Sequence, residues 1–458
     1  MKFNTAVYGL VSLCLAANVA QAEVKLVAMG EINANYQDMS TRTANALESK
    51  IAGNILGGMG SGLAYAGGNT FLSLPDRGPN AVSYDATLDN TTSYIPRFHT
   101  VSLSLAANPA YVVGTPGSMP YTLSPFLIDT TLLSNNKPLF YGPAGEPALN
   151  TDTKFYFSGR SDNFDITQTS TNWSNARLDP EGIRVSSDGK SVFISDEYGP
   201  YVYQFDRASG RRIKGFKLPA YFAAPKLSAV GDTEISGNTV GRTANKGMEG
   251  LAITPDGSTL VGIVQANLIQ DTKKYLRIVS IDIASGKTKE YGYLLTDGSG
   301  VSEILAINDH EFLVDERDGK GRGDNSAATV KKLYKIDLTG ATDISGTTPM
   351  TATTPVVAKT LFLDMVATLK TAGISENDIP AKIESIAFGP DMSVDGVTKH
   401  TLFISNDNDF LPIITDTLHP AGIANPNQFF VFTIDSTDLP TYQPQKLTIT
   451  PRDQRDRG

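Results

Sequence analysis

One phrase repeats along this 458-residue chain, and it constrains the fold more than any other feature. In each copy, a carboxylate leads into a short apolar run, and a second apolar run follows that ends in polar or acidic residues. Repetition at intervals of tens of residues is typical of one supersecondary unit copied around an axis or along a stack. The copies are 179–185 with 192–199, 247–253 with 260–265, 302–307 with 312–318 and 383–388 with 402–409, and a weaker copy without the leading carboxylate is 60–65 with 71–78.

The copies predict the blades of an all-β propeller. Between residues 182 and 218, four short apolar runs are separated by Gly-containing turns at Ser187-Asp188-Gly189 and Ala208-Ser209-Gly210. Turns of this kind close hairpins, and four antiparallel strands in a row make one propeller blade. The same pattern returns between residues 251 and 295. We therefore expect a β-propeller of five to six four-stranded blades with long rim insertions, in which residues 133–178 are a rim insertion or a degenerate blade.

Ring closure and two helices are also predicted. The last unit contains apolar runs at 428–434 and 446–450, and residues 24–29 from the N-terminal end can complete it. Sharing a blade between the chain ends would hide an open sheet edge. Helical patterns are scarce, and the two best candidates are residues 43–51 and residues 361–372, the second ending at Gly373.

Residues 1–22 have the pattern of a signal peptide. Lys2 precedes an apolar stretch that ends in Ala20-Gln21-Ala22, which is a small-x-small cleavage pattern. Cleavage after Ala22 would give a periplasmic or secreted protein with one domain, 23–450, and a charged flexible tail, 451–458. No later segment has the length and hydropathy of a membrane span. The single cysteine, Cys14, lies in this leader, so a mature chain would have no thiol for a disulfide or a Cys-based metal site.

Composition narrows the possible partners. A net charge of −9 argues against nucleic acid, which favours a basic surface. The four histidines are not spaced as zinc ligands. We expect a monomer that binds a small anionic or ester substrate, since an acidic protein can bind an anion through a divalent cation.

The acidic ends of the repeated phrase predict a metal site. The start of the first strand and the end of the second strand of an antiparallel blade lie on the same rim, so their carboxylates are expected to meet at one mouth of the channel. Crowded carboxylates need cations, and Ca²⁺ accepts six to eight oxygen ligands with loose geometry. Acidic residues at strand ends can instead cap turns or pair with arginine, and that structural role stays open. The expected ligands are Glu181, Asp196, Glu197, Glu249, Glu303, Glu384 and Asp407.

Several of these motifs resemble the phytase-like family, whose members are described by an esterase-like activity of phytase. The matching motifs are Asp76-Arg-Gly-Pro-Asn, Asp179-Pro-Glu-Gly-Ile, Ser195-Asp-Glu-Tyr-Gly-Pro, Gly247-Met-Glu-Gly-Leu and Glu384-Ser-Ile-Ala-Phe. The resemblance spans roughly residues 24–450 and implies an exported β-propeller that hydrolyses an ester or a phosphoester.

Two classes of function follow from the residues and the resemblance together. The first is a metal-dependent hydrolase of phosphoesters or carboxylic esters. In it Glu249 and Glu181 act with Arg77 and Arg317 in catalysis, and Arg77, Arg317, Tyr198 and Asn80 contact the substrate. The second is a non-catalytic propeller that binds a ligand or a protein partner and holds a structural calcium. A lactonase-like hydrolase lies between them.

Overall fold

The protein is a five-bladed β-propeller. A computed structural model describes residues 23–80, 84–394 and 396–448, and in it five antiparallel sheets stand in a ring. The predicted fold class is confirmed, and the blade number is five. Blade 1 is preceded by strand β1, Val24–Ile32, and by a 3-10 turn, Thr41–Thr43.

Blades 1 and 2 are formed by consecutive strands. Blade 1 contains β2 Gly62–Gly67, β3 Thr70–Leu74, β4 Arg97–Ala107 and β5 Tyr121–Leu132. The short pair β6 Ser134–Asn135 and β7 Phe155–Tyr156 follows it. Blade 2 contains β8 Pro180–Val185, β9 Ser191–Asp196, β10 Tyr201–Asp206 and β11 Arg212–Lys217.

Blades 3 and 4 repeat this order. A 3-10 turn at Ala220–Phe222 and helix α1 at Gly231–Gly237 precede blade 3, and helix α2 at Met365–Thr371 follows blade 4. Blade 3 contains β12 Met248–Ile253, β13 Thr259–Val264, β14 Tyr275–Asp282 and β15 Thr288–Leu294. Blade 4 contains β16 Gly300–Ala306, β17 Glu311–Arg317, β18 Lys331–Asp337 and β19 Lys359–Asp364.

Blade 5 is shared between the two ends of the described chain. Its order is β20, β22, β25 and β1, and β1 pairs antiparallel with β25 from Val24 opposite Ile434 to Ile32 opposite Asn427. The predicted closure by residues 24–29 is confirmed. The remaining strands are β20 Ile383–Phe388, β21 Met392–Val394, β22 Val397–Asn406, β23 Ile413–Ile414, β24 Ile423–Ala424 and β25 Asn427–Asp435.

Residues 446–448 do not form the predicted strand. The Lys446 N–H donates to the Pro255 carbonyl (2.9 Å), and the Thr448 N–H donates to the Ser187 carbonyl (2.8 Å). The segment therefore crosses the turns of blades 3 and 2 instead of extending blade 5. Residues 449 and 450 lie outside the described residues.

The innermost strands of the blades form the wall of the channel. Strands β2, β8, β12, β16 and β20 each contact the next around a closed ring. They are almost wholly buried, and their apolar side chains contribute to the clusters that lie between neighbouring blades. This arrangement explains why the repeated phrase is apolar on both faces of its first strand.

Both helix predictions need correction. In residues 43–51, the expected helix is replaced by the end of the 3-10 turn at Thr43 and by a loop. An isolated antiparallel bridge between Ala46 and Ala52 closes this loop. In residues 361–372 the strand β19 continues to Asp364, where the helix α2 begins. The carboxylate of Asp364 accepts the Ala367 N–H (3.0 Å) and so caps the helix. Strand pairing with β18 overrides the helical pattern before that cap.

Residues 133–178 are an insertion that contains no further blade. Among the described residues its only named strands are β6 and β7. Ser134 bridges Arg211, and the Arg212 guanidinium donates to the Trp173 carbonyl (2.7 Å), so the insertion lies along the outer edge of blade 2. Covering this edge protects it from pairing with another chain.

The predicted leader 1–22 and tail 451–458 lie outside the described residues. Among those described, no helix has the length and hydropathy that crossing a bilayer requires.

Candidate functional site

β-Bulges aim acidic side chains at one mouth of the channel. In β12 and β20 the pairing register shifts around a single residue, which is Glu249 in β12 and Glu384 in β20. In β8 the shift spans Glu181 and Gly182. A bulge leaves a residue unpaired and redirects its side chain, and bulges are frequent beside active sites. The leading glutamates of blades 2, 3 and 5 thus share one structural position.

The carboxylates and several cations line a cavity of about 370 Å³ at this mouth. Its wall is almost entirely polar, with Val301 as the one apolar side chain. The acidic residues are Asp76, Glu181, Glu197, Glu249, Glu384 and Asp409, the basic residues are Arg77, Lys246, Arg317 and Lys382, and the neutral polar residues are Asn80, Asn245, Gln265, Ser299 and Ser302.

Seven of the residues expected at the site from the sequence line this cavity: Arg77, Asn80, Glu181, Glu197, Glu249, Arg317 and Glu384. The four that do not are Tyr198, Asp196, Glu303 and Asp407.

Glu303 lies one residue further along its strand than the repeated phrase suggested. The bulge in β16 falls on Ser302, which occupies the place that Glu249 has in β12. The Glu303 carboxylate accepts the N–H groups of Leu251 and Ile304 (2.9 Å each) and pairs with Arg184 (3.0 Å). It therefore holds the channel wall together. Aligning Ile304 with Leu251 in the sequence would have indicated this register.

Asp196 and Tyr198 support the loop behind the cavity. The Asp196 carboxylate accepts the N–H groups of Asp179 and Tyr198 (3.1 Å each). The Tyr198 hydroxyl donates to the Gly159 carbonyl (3.2 Å), and its ring packs against the Arg177 guanidinium at 4.8 Å. Both side chains are engaged in these contacts and are set back from the cavity.

Asp179, Glu181 and Glu197 form the one group in the described part of the chain whose side chains are arranged to hold a metal ion. One carboxylate oxygen from each lies within 4.8 Å of the others, and all three residues are buried. Asp179 was not among the residues expected at the site. Its position two residues before Glu181 in the repeated phrase could have indicated that it belongs to the site.

The carboxyl groups of Glu249 and Glu197 lie beside each other. Oε1 of Glu249 accepts a hydrogen bond from the Gln265 amide (2.9 Å). Oε2 of Glu249 and Oε1 of Glu197 are buried, and within the described ranges no N–H or O–H group of another residue donates to them. The two carboxyl groups can share a hydrogen bond when one of them is protonated. A buried carboxylate oxygen without a partner is unfavourable unless it binds a proton, a water molecule or a cation.

Burial and mutual repulsion raise the pKa values of the three glutamates at this site. Burial, and then the negative charge of Asp179, raise the pKa of Glu197 to about 7. Burial and the charge of Glu249 raise the pKa of Glu181 well above its usual range. Burial and the charge of Glu197 do the same for the pKa of Glu249. A bound cation would reverse these shifts by stabilising the ionised carboxylates.

The two arginines expected to hold an anion are each paired with a carboxylate. The Arg77 guanidinium contacts Asp179 (2.9 Å) and also donates to the Asn245 side chain. The Arg317 guanidinium pairs with Glu384 and donates from Nε to the Ser302 hydroxyl. The sequence did not indicate these partners.

Arg184 closes the channel beneath the cavity. Its guanidinium donates to the carbonyls of Leu63 (2.8 Å), Ile183 (2.6 Å) and Ile304 (3.0 Å), which belong to three different blades. With Glu303 it separates the mouth cavity from a second cavity of about 250 Å³ at the opposite end. A ligand would therefore enter the acidic cavity from the mouth.

Comparisons with known proteins identify relatives of the chain. The model of the phytase-like family, described as "esterase-like activity of phytase", matches residues 54–410. A curated relative from Arthroderma benhamiae, described as an uncharacterized secreted protein, is 28% identical over 282 residues. That match covers 52% of this chain and 51% of the relative, so the chain spans about half the length of the relative it matches.

Solved structures give weaker likenesses. The hydrazine synthase of Kuenenia stuttgartiensis is 12% identical, covers 77% of this chain and 78% of its own, and has a TM-score of 0.30. A luciferin-regenerating enzyme is 9% identical, covers 86% of this chain and 97% of its own, and has a TM-score of 0.31. With such low TM-scores, neither protein informs the function of this chain.

Proposed function

This chain belongs to the phytase-like family, and from that premise we propose that it is a metal-dependent hydrolase of phosphoesters or carboxylic esters. The reaction is assigned to the cavity at the mouth of the propeller. The observation that carries the proposal is the group Asp179, Glu181 and Glu197, whose oxygens converge within 4.8 Å beside the Glu249 carboxylate. We further propose that the protein is exported, as the leader pattern and the secreted relative suggest.

The donor set suits a hard divalent cation such as Ca²⁺. All the candidate ligands are carboxylate oxygens, which Ca²⁺ prefers, and Ca²⁺–oxygen distances of about 2.3–2.6 Å accommodate ligands that are up to about 5 Å apart. Asp179, Glu181 and Glu197 would hold the ion. When bound, such an ion lowers the pKa of a water molecule and polarises an ester or phosphoryl oxygen.

The protein's own residues have separate roles in this proposal. Glu249 accepts the proton of the attacking water through Oε2, to which no other residue of the described ranges donates, while Gln265 holds Oε1 in place. Arg77 and Arg317 stabilise negative charge on the substrate. Asn80 lies in the same wall and offers an amide to the substrate. Arg184 blocks the channel below, so the reaction is confined to one side.

A substrate panel with and without chelator tests this proposal. We expect the purified protein to hydrolyse a phosphoester or a carboxylic ester only with added calcium. Glu249→Gln should lower kcat by about 100-fold or more, because it removes the proton acceptor. The melting temperature should change little. Asp391→Asn, in the cavity at the opposite end, is the matched control and should retain activity.

Other outcomes would point elsewhere. Turnover that survives complete removal of metal would contradict the proposed mechanism. Calcium binding without turnover of any ester would favour the non-catalytic propeller, and hydrolysis restricted to lactones would favour the lactonase-like alternative.

A further inference from the structure

The cavity at the end of the channel opposite the acidic mouth has a mostly apolar wall. Its volume is about 250 Å³, and Arg184 lies between it and the mouth cavity. All five innermost strands contribute to this wall, with Leu63 and Ala64 from β2, Arg184 from β8, Ile253 from β12, Leu305 from β16 and Ala387 from β20. Cavities with apolar walls bind apolar molecules in preference to water, because a water molecule there lacks hydrogen-bond partners.

Residues 442–445 form another part of the wall of this cavity. The Gln443 N–H donates to the Ile307 carbonyl (2.9 Å), and the Gln445 side-chain amide donates to the Val185 carbonyl (2.7 Å). The first contact is to blade 4 and the second is to blade 2, so the segment crosses the end of the channel and is held at both sides. The cavity therefore has a fixed shape that depends on the closed ring.

Arg184 brings one buried hydrogen-bond donor to this apolar wall. Leu305 and Ala387 hold the equivalent place in β16 and β20, three residues after the bulge, so the arginine is an exception among the inner strands. Its Nη atoms contact backbone carbonyls and Glu303, but Nε has no acceptor in the described part of the chain, and the residue is 3% exposed. A buried donor without an acceptor is unfavourable, so this N–H favours a ligand that carries an acceptor.

The charges around the cavity disfavour a charged ligand. The positive charge of Arg184 is balanced by Glu303, at 3.0 Å. The carboxylate of Asp391, the other charged residue of the wall, lies 2.9 Å from Nδ1 of His400. An anion would lose its hydration in this wall without meeting an unbalanced cation, and a cation would be repelled by the Arg184 guanidinium. The wall therefore suits an uncharged molecule.

We propose that this cavity is a second ligand site, which binds an uncharged, mostly apolar molecule whose carbonyl or similar oxygen accepts the Arg184 Nε–H. The site goes beyond the hydrolysis proposed for the mouth, because the pair of Arg184 and Glu303 stands between the two cavities. An apolar cavity of about 150 Å³ accommodates benzene, so a volume of about 250 Å³ accommodates a substituted ring. Acetophenone, an aromatic ketone, combines this size with an acceptor and no charge.

Acetophenone and benzoate are matched probes of the site, since they are nearly equal in size and only benzoate is charged. Saturation-transfer NMR should show saturable binding of acetophenone to the wild-type protein at millimolar concentration or below. Benzoate should bind at least about tenfold more weakly, because its charge must be desolvated. Glu249→Gln should bind acetophenone as the wild-type protein does, because Glu249 lines the mouth cavity and not this one. No binding of acetophenone, or equal binding of benzoate, would overturn the proposal.

Filling the cavity should weaken this binding. Ala64→Leu and Ala387→Leu in one chain leave less room than the ring needs, and Leu305 shows that an inner strand accommodates leucine at the place of Ala387. We expect acetophenone to bind this double variant at least about tenfold more weakly. Asp391→Asn is the control, since it preserves the size of the side chain and should preserve binding. Unchanged binding by a folded double variant would contradict the proposed site.

A crystal of the wild-type protein soaked in para-bromoacetophenone gives a measurement that depends on no variant. Anomalous scattering should place the bromine in the cavity, with the carbonyl oxygen within hydrogen-bond distance of Arg184 Nε. Bromine found only at the mouth or on the outer surface, or a cavity that contains only water, would overturn the site. A carbonyl group directed away from Arg184 would refute the role of Nε.

Discussion

At the scale of single residues, one register difference separates a channel-mouth carboxylate from a structural one. Glu249 and Glu303 occur in similar phrases, but the bulge exposes Glu249 to the cavity and exposes Ser302 in the other strand. Glu303 instead contacts two backbone N–H groups and Arg184. Because successive side chains of a strand point to opposite faces, a shift of one residue changes the role completely.

Glu303→Gln tests this distinction. The change removes one partner of a buried ion pair with Arg184, which is expected to lower the free energy of unfolding by about 3 kcal/mol. Calcium affinity should not change, because Glu303 does not line the mouth cavity. Urea denaturation and calcium titration measure the two effects. Loss of calcium binding with unchanged stability would restore Glu303 as a ligand.

His99 makes the stability of the protein depend on pH. Its ring is fully buried in β4, with Nδ1 3.0 Å from the Thr130 hydroxyl, and burial lowers its pKa from 6.5 to about 3. Between these two values the unfolded chain binds a proton that the folded chain does not bind. Stability is therefore lost as the pH falls through 6.5 toward 3, by up to about 1.4 kcal/mol per pH unit.

His99→Gln should remove this dependence. Between pH 7 and pH 5, the wild-type protein should lose about 2 kcal/mol more unfolding free energy than the variant, as follows from the two pKa values. Urea denaturation of both proteins at the two pH values measures the difference. Parallel loss of stability in both would show that His99 is protonated in the folded state.

At the scale of elements, glycines set how closely the inner strands approach. A Cβ at Gly182 would lie 2.7 Å from Leu251 Cβ, and a Cβ at Gly250 would lie 2.7 Å from the Ile304 nitrogen. These distances are too short for carbon contacts, so the neighbouring blade would have to move. The Glu-Gly pairs of the repeated phrase therefore combine a mouth-facing carboxylate with a close contact between blades.

Gly250→Ala should destabilise the protein for this reason. Because its Cβ would meet the backbone of Glu303 and Ile304, overpacking is expected to lower the unfolding free energy by about 1–3 kcal/mol. Gly237→Ala is the matched control, since no atom lies within 4 Å of its added Cβ. That change should have an effect of less than about 1 kcal/mol. Equal stability of both variants in urea would contradict the close contact.

At the scale of the whole molecule, β1 closes the ring. It comes from the start of the described chain and pairs with β25 near its end, so blade 5 joins segments that are about four hundred residues apart in sequence. Contacts of such large sequence separation are entropically costly to form, and they tie the blades into one unit. Loss of this pairing would leave the edge of β25 exposed.

Ala28→Glu tests how far stability depends on the closure. Ala28 is fully buried in β1, and a buried charge without a partner is expected to destabilise the protein by several kcal/mol. Glu31→Gln, on the exposed side of the same strand, should have little effect. Calorimetry should show a lower melting temperature for Ala28→Glu alone. Local fraying of β1 with unchanged melting of the other blades would argue that the ring does not need it.

Much of the propeller could be predicted from the sequence because its signals are local. Apolar runs, Asp-Gly and Ser-Gly turns, and the position of the carboxylates all act within one blade, so the blades and the acidic rim followed from the repeated phrase. Closure by residues 24–29 was also predicted, because it hides an open sheet edge, whereas the strand expected at 446–450 was wrong over its described residues. The helix expected at 361–372 was wrong over its first four residues because pairing with β18 is not visible in the local pattern.

The sequence by itself determined that this chain forms blades with acidic strand ends on one rim. Only the tertiary structure decided that there are five blades and that Arg77 and Lys382 are paired with Asp179 and Asp407. The reason is physical. A strand's periodicity depends on neighbours in sequence, whereas a buried ion pair depends on side chains that meet only when neighbouring blades pack together, as Arg77 and Asp179 do across 102 residues.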